Sequence, residues 1–168
     1  MAGIAVLLSG SGSNLAAIME NELPVAFVMS DNPKAYGIER ADKKKINTYV
    51  QSSLKLLELH VTKLCSSGDI DLIVLAGFMR LLSPGFVEAW KGQIINIHPA
   101  LLPSFPGAHA IEQAFEYGVK YTGVTVHYVD DGMDTGQIIA QEPVKIAKSD
   151  TIENLYGKIH KVEHKLYP

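Results

Sequence analysis

Ile4-Ala5-Val6-Leu7-Leu8-Ser9-Gly10-Ser11-Gly12-Ser13-Asn14-Leu15 is the stretch whose reading decides the fold. Ile4 to Leu8 are all apolar, the pattern of a strand buried on both faces of a parallel sheet. A glycine and serine turn follows, and residues 15–20 then have helical composition. Strand, Gly/Ser turn and helix in that order open an α/β domain. The turn sets several backbone N–H groups and two hydroxyls at a helix N-terminus, where an anion is favoured. The third glycine of G-x-G-x-x-G is missing, because Leu15 stands there. Asp31 lies where a ribose-binding acid would, yet Ser13 and Asn14 suit a compact phosphate monoester better than a dinucleotide. Taken alone, the loop is equally an ordinary tight βα turn.

The alternation continues outward from this stretch. Residues 25–29 repeat the buried-strand pattern and stop at the turn cluster Ser30-Asp31-Asn32-Pro33. The pattern predicts a helix over 36–45, a short strand over 46–50 and a helix over 54–64. A third strong strand covers 73–76, Gly77 ends it, and a short helix covers 86–90. After a helix over 108–117 the pattern changes. Two β-rich runs, 122–129 and 137–146, are joined by the acidic, Gly-containing loop 130–136, which predicts an antiparallel pair. Asp150, with Glu153 three residues on, is the expected N-cap of a closing helix. Ile152, Leu155, Ile159, Val162 and Leu166 form its apolar stripe. With no repeat, linker or low-complexity segment, residues 1–168 read as a single α/β domain. Its expected form is a three-layer, doubly wound, mostly parallel sheet with an antiparallel strand pair toward the C-terminal end.

Composition narrows the function. A chain of 168 residues with 47% hydrophobic and 20% charged content is a soluble globular protein with a substantial core. A net charge of −3 predicts no nucleic-acid surface, and Lys43-Lys44-Lys45 reads as a solvated helix end. Cys65 is the single cysteine, so a reducing compartment fits. No signal-type segment and no membrane-length apolar run are legible, so the expected location is cytoplasmic.

Gln93-Ile94-Ile95-Asn96-Ile97-His98-Pro99-Ala100-Leu101-Leu102-Pro103 is the candidate reaction strand. Side chains two apart on a strand share a face, so Asn96 and His98 project together just where Pro99 ends regular pairing. An amide can donate to a developing oxyanion, and an imidazole can move a proton near neutral pH. A polar strand end with a capping Asn and a satisfied His is the structural alternative. Asp130, Asp131 and Asp134 lack the order of a calcium loop and suit a hairpin connection. In the functional reading one of these carboxylates approaches His98 and orients its ring. His160-Lys161-Val162-Glu163-His164 matches H-x-x-E-H. It has no evident third ligand, so a helix face bordering a ligand pocket is the better reading than a metal site. The Gly10 to Asn14 loop approaches the G-x-S-x-G elbow but fails it at each register.

These pieces, in order, resemble the phosphoribosylglycinamide formyltransferases, a folate-dependent family of purine synthesis. The motifs that carry the resemblance start with Ser9-Gly10-Ser11-Gly12-Ser13-Asn14-Leu15 and Val74-Leu75-Ala76-Gly77-Phe78-Met79-Arg80. They continue with Asn96-Ile97-His98-Pro99-Ala100-Leu101-Leu102-Pro103, Gly123-Val124-Thr125-Val126-His127, Asp134-Thr135-Gly136 and Glu163-His164. The resemblance implies a formyltransferase fold with a phosphate-binding N-terminal half and a folate-binding C-terminal half. It implies formyl transfer from 10-formyltetrahydrofolate to the amine of N1-(5-phospho-D-ribosyl)glycinamide, without a metal. Asn96 would hold the oxyanion, His98 would act as general acid and Asp134 would partner it. Gly12, Ser13 and Asn14 would cradle the substrate phosphate, and Glu163 would bind the amine end. Met79, Arg80, Leu81 and Leu82 would line the folate pocket with Asp131, Gly132, Met133 and Thr135. The implied partners are small molecules, with no nucleic acid and no membrane, on a monomer or homodimer. Two departures stand out. Region 49–67 matches poorly, leaving Lys55 as a candidate folate-tail contact, and Gly132 replaces a larger residue, which predicts a looser loop. Rivals are a formyltetrahydrofolate hydrolase, a non-catalytic nucleotide-binding module and a zinc hydrolase. A tRNA formyltransferase would need a second, basic domain.

Overall fold

In the computed structural model, which describes residues 3–168, the opening apolar run is β1 (Gly3–Leu8), a strand with neighbours on both sides. The chain continues through α1 (Ser13–Glu20), β2 (Val25–Ser30), α2 (Tyr36–Lys43), β3 (Asn47–Val50), α3 (Leu54–Ser66) and β4 (Ile70–Leu75). Then come α4 (Pro84–Ala89), β5 (Ile94–His98), α5 (Ala110–Tyr117), β6 (Tyr121–Tyr128), β7 (Ile138–Lys145) and α6 (Ile152–Leu166). Alternate residues of β1 serve two cores, which is why the run is apolar throughout. Val6 and Leu8 pack with Leu15 and Ile18 of α1 and with Leu155 and Ile159 of α6. Ala5 and Leu7 pack on the other face with Leu57 and Val61 of α3 and Phe86 of α4. Helices therefore cover both faces of one sheet, the three-layer arrangement expected.

The sheet order is β3-β2-β1-β4-β5-β6-β7. Strands β1 to β5 pair in parallel, while β6 is antiparallel to both β5 and β7. The expected antiparallel pair is present, and a single reversed strand, β6, creates it. The chain moves outward through β2 and β3, then returns to place β4 on the far side of β1. At that switch point the helices that follow β1 and β4 lie on opposite faces of the sheet, which leaves a crevice at the carboxyl ends of the strands, where ligands bind in such folds.

Several element ends differ from the sequence reading. Helix α2 closes at Lys43, because Lys45 adopts a left-handed conformation with φ of 59°. Helix α5 begins at Ala110, since His109 is also left-handed, with φ of 61°. Thr151, not Asp150, caps α6 through a capping box with Asn154. The Asp150 carboxylate instead accepts from the Ala147 N–H at 2.7 Å and pairs with Lys158. The Leu102–Pro103 bond is cis. No helix among the described residues is long and apolar enough to cross a membrane.

Two long-range contacts brace the crevice. The buried Tyr167 hydroxyl, just past α6, reaches the Leu75 carbonyl at 2.7 Å and the Ile95 carbonyl at 3.2 Å. Glu58 of α3 accepts from the Ser83 N–H and hydroxyl, both at 2.6 Å, and so fixes the start of α4. The segment just before Ser83 walls the crevice, so this pair sets its position. Glu58→Ala removes the acceptor from a partly buried N–H and hydroxyl and is expected to cost about 1–3 kcal/mol of stability, read by urea unfolding. An unchanged midpoint would mean that water replaces the carboxylate.

Candidate active site

The glycine turn after β1 is built as an anion cradle. Gly12 caps α1 with φ of 69°, a conformation that favours glycine. The loop carbonyls are all engaged. Asn32 Nδ2 donates to Ser9, Gly37 N to Gly10, Arg40 Nε to Ser11 and Ala16 N to Gly12, at 2.8–3.0 Å. Among the described residues, none of the N–H groups of residues 10–15 donates to a protein acceptor. A run of free N–H groups at a helix N-terminus favours a phosphate-sized anion.

Beside the cradle lies a polar cluster from α1, α5 and α6. Asn14 Nδ2 approaches Glu163 Oε2 at 3.5 Å, and Asn14 Oδ1 is buried without a partner. His160 Nδ1 donates to the same Glu163 oxygen at 2.9 Å, and this bond raises the imidazole above its ordinary value. Tyr156 donates to Glu112 Oε1 at 2.5 Å, which pushes the phenol up to about 12 and holds the carboxyl below its usual range. His160 stacks on His164, with ring centroids 6.2 Å apart. The H-x-x-E-H residues are thus engaged with one another and with the cradle. Among the described residues, no group of three or more His, Cys, Asp or Glu is arranged to hold a metal ion.

The reaction strand delivers Asn96 and His98 to the crevice. His98 is 4% exposed; its Nε2–H donates to the Phe105 carbonyl at 2.8 Å, and Nδ1 faces Asp134 Oδ2 at 3.4 Å. Asp134 therefore meets His98. It holds a left-handed backbone, with φ of 55°, and accepts from Gly107 N at 2.7 Å. Its other oxygen lies 3.6 Å from His127 Nε2. His127 is the residue that sequence reasoning left without a role. The antiparallel register sets it opposite Asn96. His127 Nδ1–H donates to the Tyr128 carbonyl at 2.8 Å, which leaves Nε2 to accept from Asn96 Nδ2 at 3.3 Å. One amide hydrogen of Asn96 is fixed in this way, and the other remains for a ligand oxygen. Thr125, two residues earlier on the same strand face, ties the Ala100 carbonyl, Leu102 N and Gln141 into the loop after β5.

Two cavities meet at this centre. The larger, about 680 Å³, runs from the cradle past Glu163 to Asn96, His98 and Asp134. The smaller, about 350 Å³, lies among Leu75, Phe78, Leu82, Val87 and Val129 and the loop 130–134. Asn96 and Asp134 line both. Of the expected folate contacts, Leu82, Asp131 and Gly132 line only the smaller cavity, whereas Arg80, Leu81 and Met133 line both. Met79 faces only the larger cavity, and Thr135 lines neither. The Thr135 hydroxyl donates to Asp130 Oδ1 at 2.7 Å and closes the loop, and a Cβ on Gly132 would run into that hydroxyl. Gly132 leaves room for that hydroxyl. Glu163, expected to bind the amine end, lines the larger cavity. It contacts Asn14 at the cradle and makes no hydrogen bond to Asn96 or His98.

Two cavities sharing one reaction centre are the layout of a transferase, an enzyme that moves a group between two bound molecules. Comparison with known proteins gives the kind of group. The family described as "Formyl transferase" matches residues 2–168. The phosphoribosylglycinamide formyltransferase of Bacillus subtilis is 44% identical over 187 aligned positions, covering 100% of this chain and 92% of that protein. The crystal structure of phosphoribosylglycinamide formyltransferase from Streptococcus pneumoniae superposes with a TM-score of 0.94 at 45% identity, covering 100% of this chain and 96% of that one. A trifunctional purine biosynthetic protein of Drosophila melanogaster is 42% identical over 98% of this chain, which spans 13% of that longer protein. The chain belongs to the formyl transferase family.

Proposed function

We propose that the chain transfers a formyl group from 10-formyltetrahydrofolate to the primary amine of N1-(5-phospho-D-ribosyl)glycinamide, in purine synthesis. The observation that carries the reading is Asn96 at the junction of the two cavities, its amide oriented by His127 and its strand neighbour His98 facing Asp134. The phosphate of the acceptor sits on the free N–H groups of residues 10–15. Glu163 and the unpartnered Asn14 Oδ1 face the hydroxyl-bearing sugar between phosphate and amine. The smaller cavity combines apolar walls with the backbone of residues 130–134, which fits a flat heterocycle with an amide-like edge.

The amine lone pair attacks the formyl carbon and forms the new C–N bond. The carbonyl electrons move onto oxygen, where Asn96 Nδ2–H holds them. Collapse breaks the bond from the formyl carbon to the donor nitrogen. The proton lost by the amine passes through His98 to that leaving nitrogen, and Asp134 balances the charge on the ring. The products are the formylated amine and tetrahydrofolate. The partners in this reading are these small molecules, with neither nucleic acid nor membrane, on a cytoplasmic monomer or homodimer.

The test is an absorbance assay with 10-formyltetrahydrofolate, with and without the glycinamide ribonucleotide. Turnover is expected only with both. Release of tetrahydrofolate at a comparable rate without the acceptor would make the protein a hydrolase instead.

A further inference from the structure

The larger cavity presents an electrostatic problem for a phosphate. Glu112, Asp134 and Glu163 line it, each facing one lining histidine (His109, His98 and His160), while the lining contains no lysine and one arginine, Arg80. Arg80 is engaged elsewhere, donating to the Ser52 carbonyl at 3.1 Å. A phosphate dianion beside three carboxylates needs a compensating cation.

One arginine stands directly behind the cradle. Arg40 of α2 donates its Nε–H to the Ser11 carbonyl at 2.8 Å, and its guanidinium lies 4.8 Å from the centre of the Tyr36 ring. Among the described residues, no carboxylate pairs with it. The first turn of α2 is pressed against the same loop. Gly37 N donates to the Gly10 carbonyl at 3.0 Å, and a Cβ on Gly12 would meet Gly37 Cα at 2.5 Å. A loop can turn its N–H groups into a cavity only if its carbonyls point away and find donors there.

We propose that Arg40 is a positioning residue for the phosphate of the acceptor: it holds the Ser11 carbonyl from behind, so that the loop N–H groups face the cavity, and it adds positive charge to an otherwise acidic site. The inference rests on the acceptor reading given above. Simple anchoring of α2 is the competing role, and the two differ in whether the phosphate matters.

The experiment compares initial rates on the glycinamide ribonucleotide and on its dephosphorylated riboside, at saturating 10-formyltetrahydrofolate. Arg40→Ala is expected to raise KM for the phosphorylated acceptor about tenfold, with kcat within about twofold. The loss in kcat/KM on the riboside should be several times smaller. Arg40→Gln keeps an N–H for Ser11 without the charge and should fall between Arg40→Ala and the native enzyme. Arg40→Lys keeps the charge and should recover part of the affinity, which leaves the comparison intact if the alanine variant fails to fold. Equal losses on both acceptors, or a loss confined to kcat, would overturn the role of Arg40. A native enzyme that uses both acceptors equally would overturn the acceptor reading itself, before any variant is considered.

Discussion

Replacing His98 with alanine is expected to lower kcat by about 10²–10⁴-fold, the range for losing a positioned general acid. His98 is held on both sides, by the Phe105 carbonyl at Nε2 and by Asp134 at Nδ1, and its own side chain is almost wholly buried. The second imidazole that faces Asp134, His127, lines only the smaller cavity. His127 lies across the strand pair, with Nδ1 committed to the Tyr128 carbonyl. The cradle and the apolar slot are made by other residues, so KM for both substrates should change by no more than about threefold. Single-turnover rates alongside steady-state kinetics separate the chemical step from product release. Full activity in this variant would end the proton-transfer role.

Asn96→Ala should cost about 10²–10³-fold in kcat, the loss measured when one oxyanion donor is removed elsewhere. Asn96 is fixed by a pair of constraints, its place on β5 and its bond to His127. Asn96→Asp is the sharper variant, because it keeps the shape and replaces the donating amide with an acceptor facing the same oxygen. It should be at least as inactive as the alanine form. Calorimetric titration with the ribonucleotide checks that acceptor binding survives. An active aspartate variant would show that the amide hydrogen does not stabilise the developing charge.

The parts of the fold legible in the sequence are those that local pattern dictates. The five apolar residues of β1 declare burial on two faces, and the glycine turn declares the helix behind it. The β-rich runs after α5 declare the reversed strand. Helix ends were less legible. Whether Asp150 or Thr151 caps α6 depends on which residue is extended, and both are good caps by type. In the site, Asn96 and His98 share a strand and a face, so their partnership follows from period-two geometry. His127 depends on register across β5 and β6, which spacing along the chain does not encode. Arg40 is hidden for a similar reason. Its i,i+4 relation to Tyr36 reads as helix surface, whereas its contact with Ser11 spans 29 residues. Glu163 was legible as a site residue from its motif, but not its neighbour, because only the packing of α6 against α1 sets it beside Asn14.

The Tyr167 hydroxyl, which touches the carbonyls of both Leu75 and Ile95, has a mechanical consequence. Leu75 pairs with Asn96 in the ladder and is followed by the segment that walls the smaller cavity, while Ile95 directly precedes Asn96. A single phenol thus acts as a shim between two neighbouring strands at the place where they begin to part. The clearance between the slot wall and the Asn96 amide is gauged from the far side of the sheet, by a side chain that lines neither cavity.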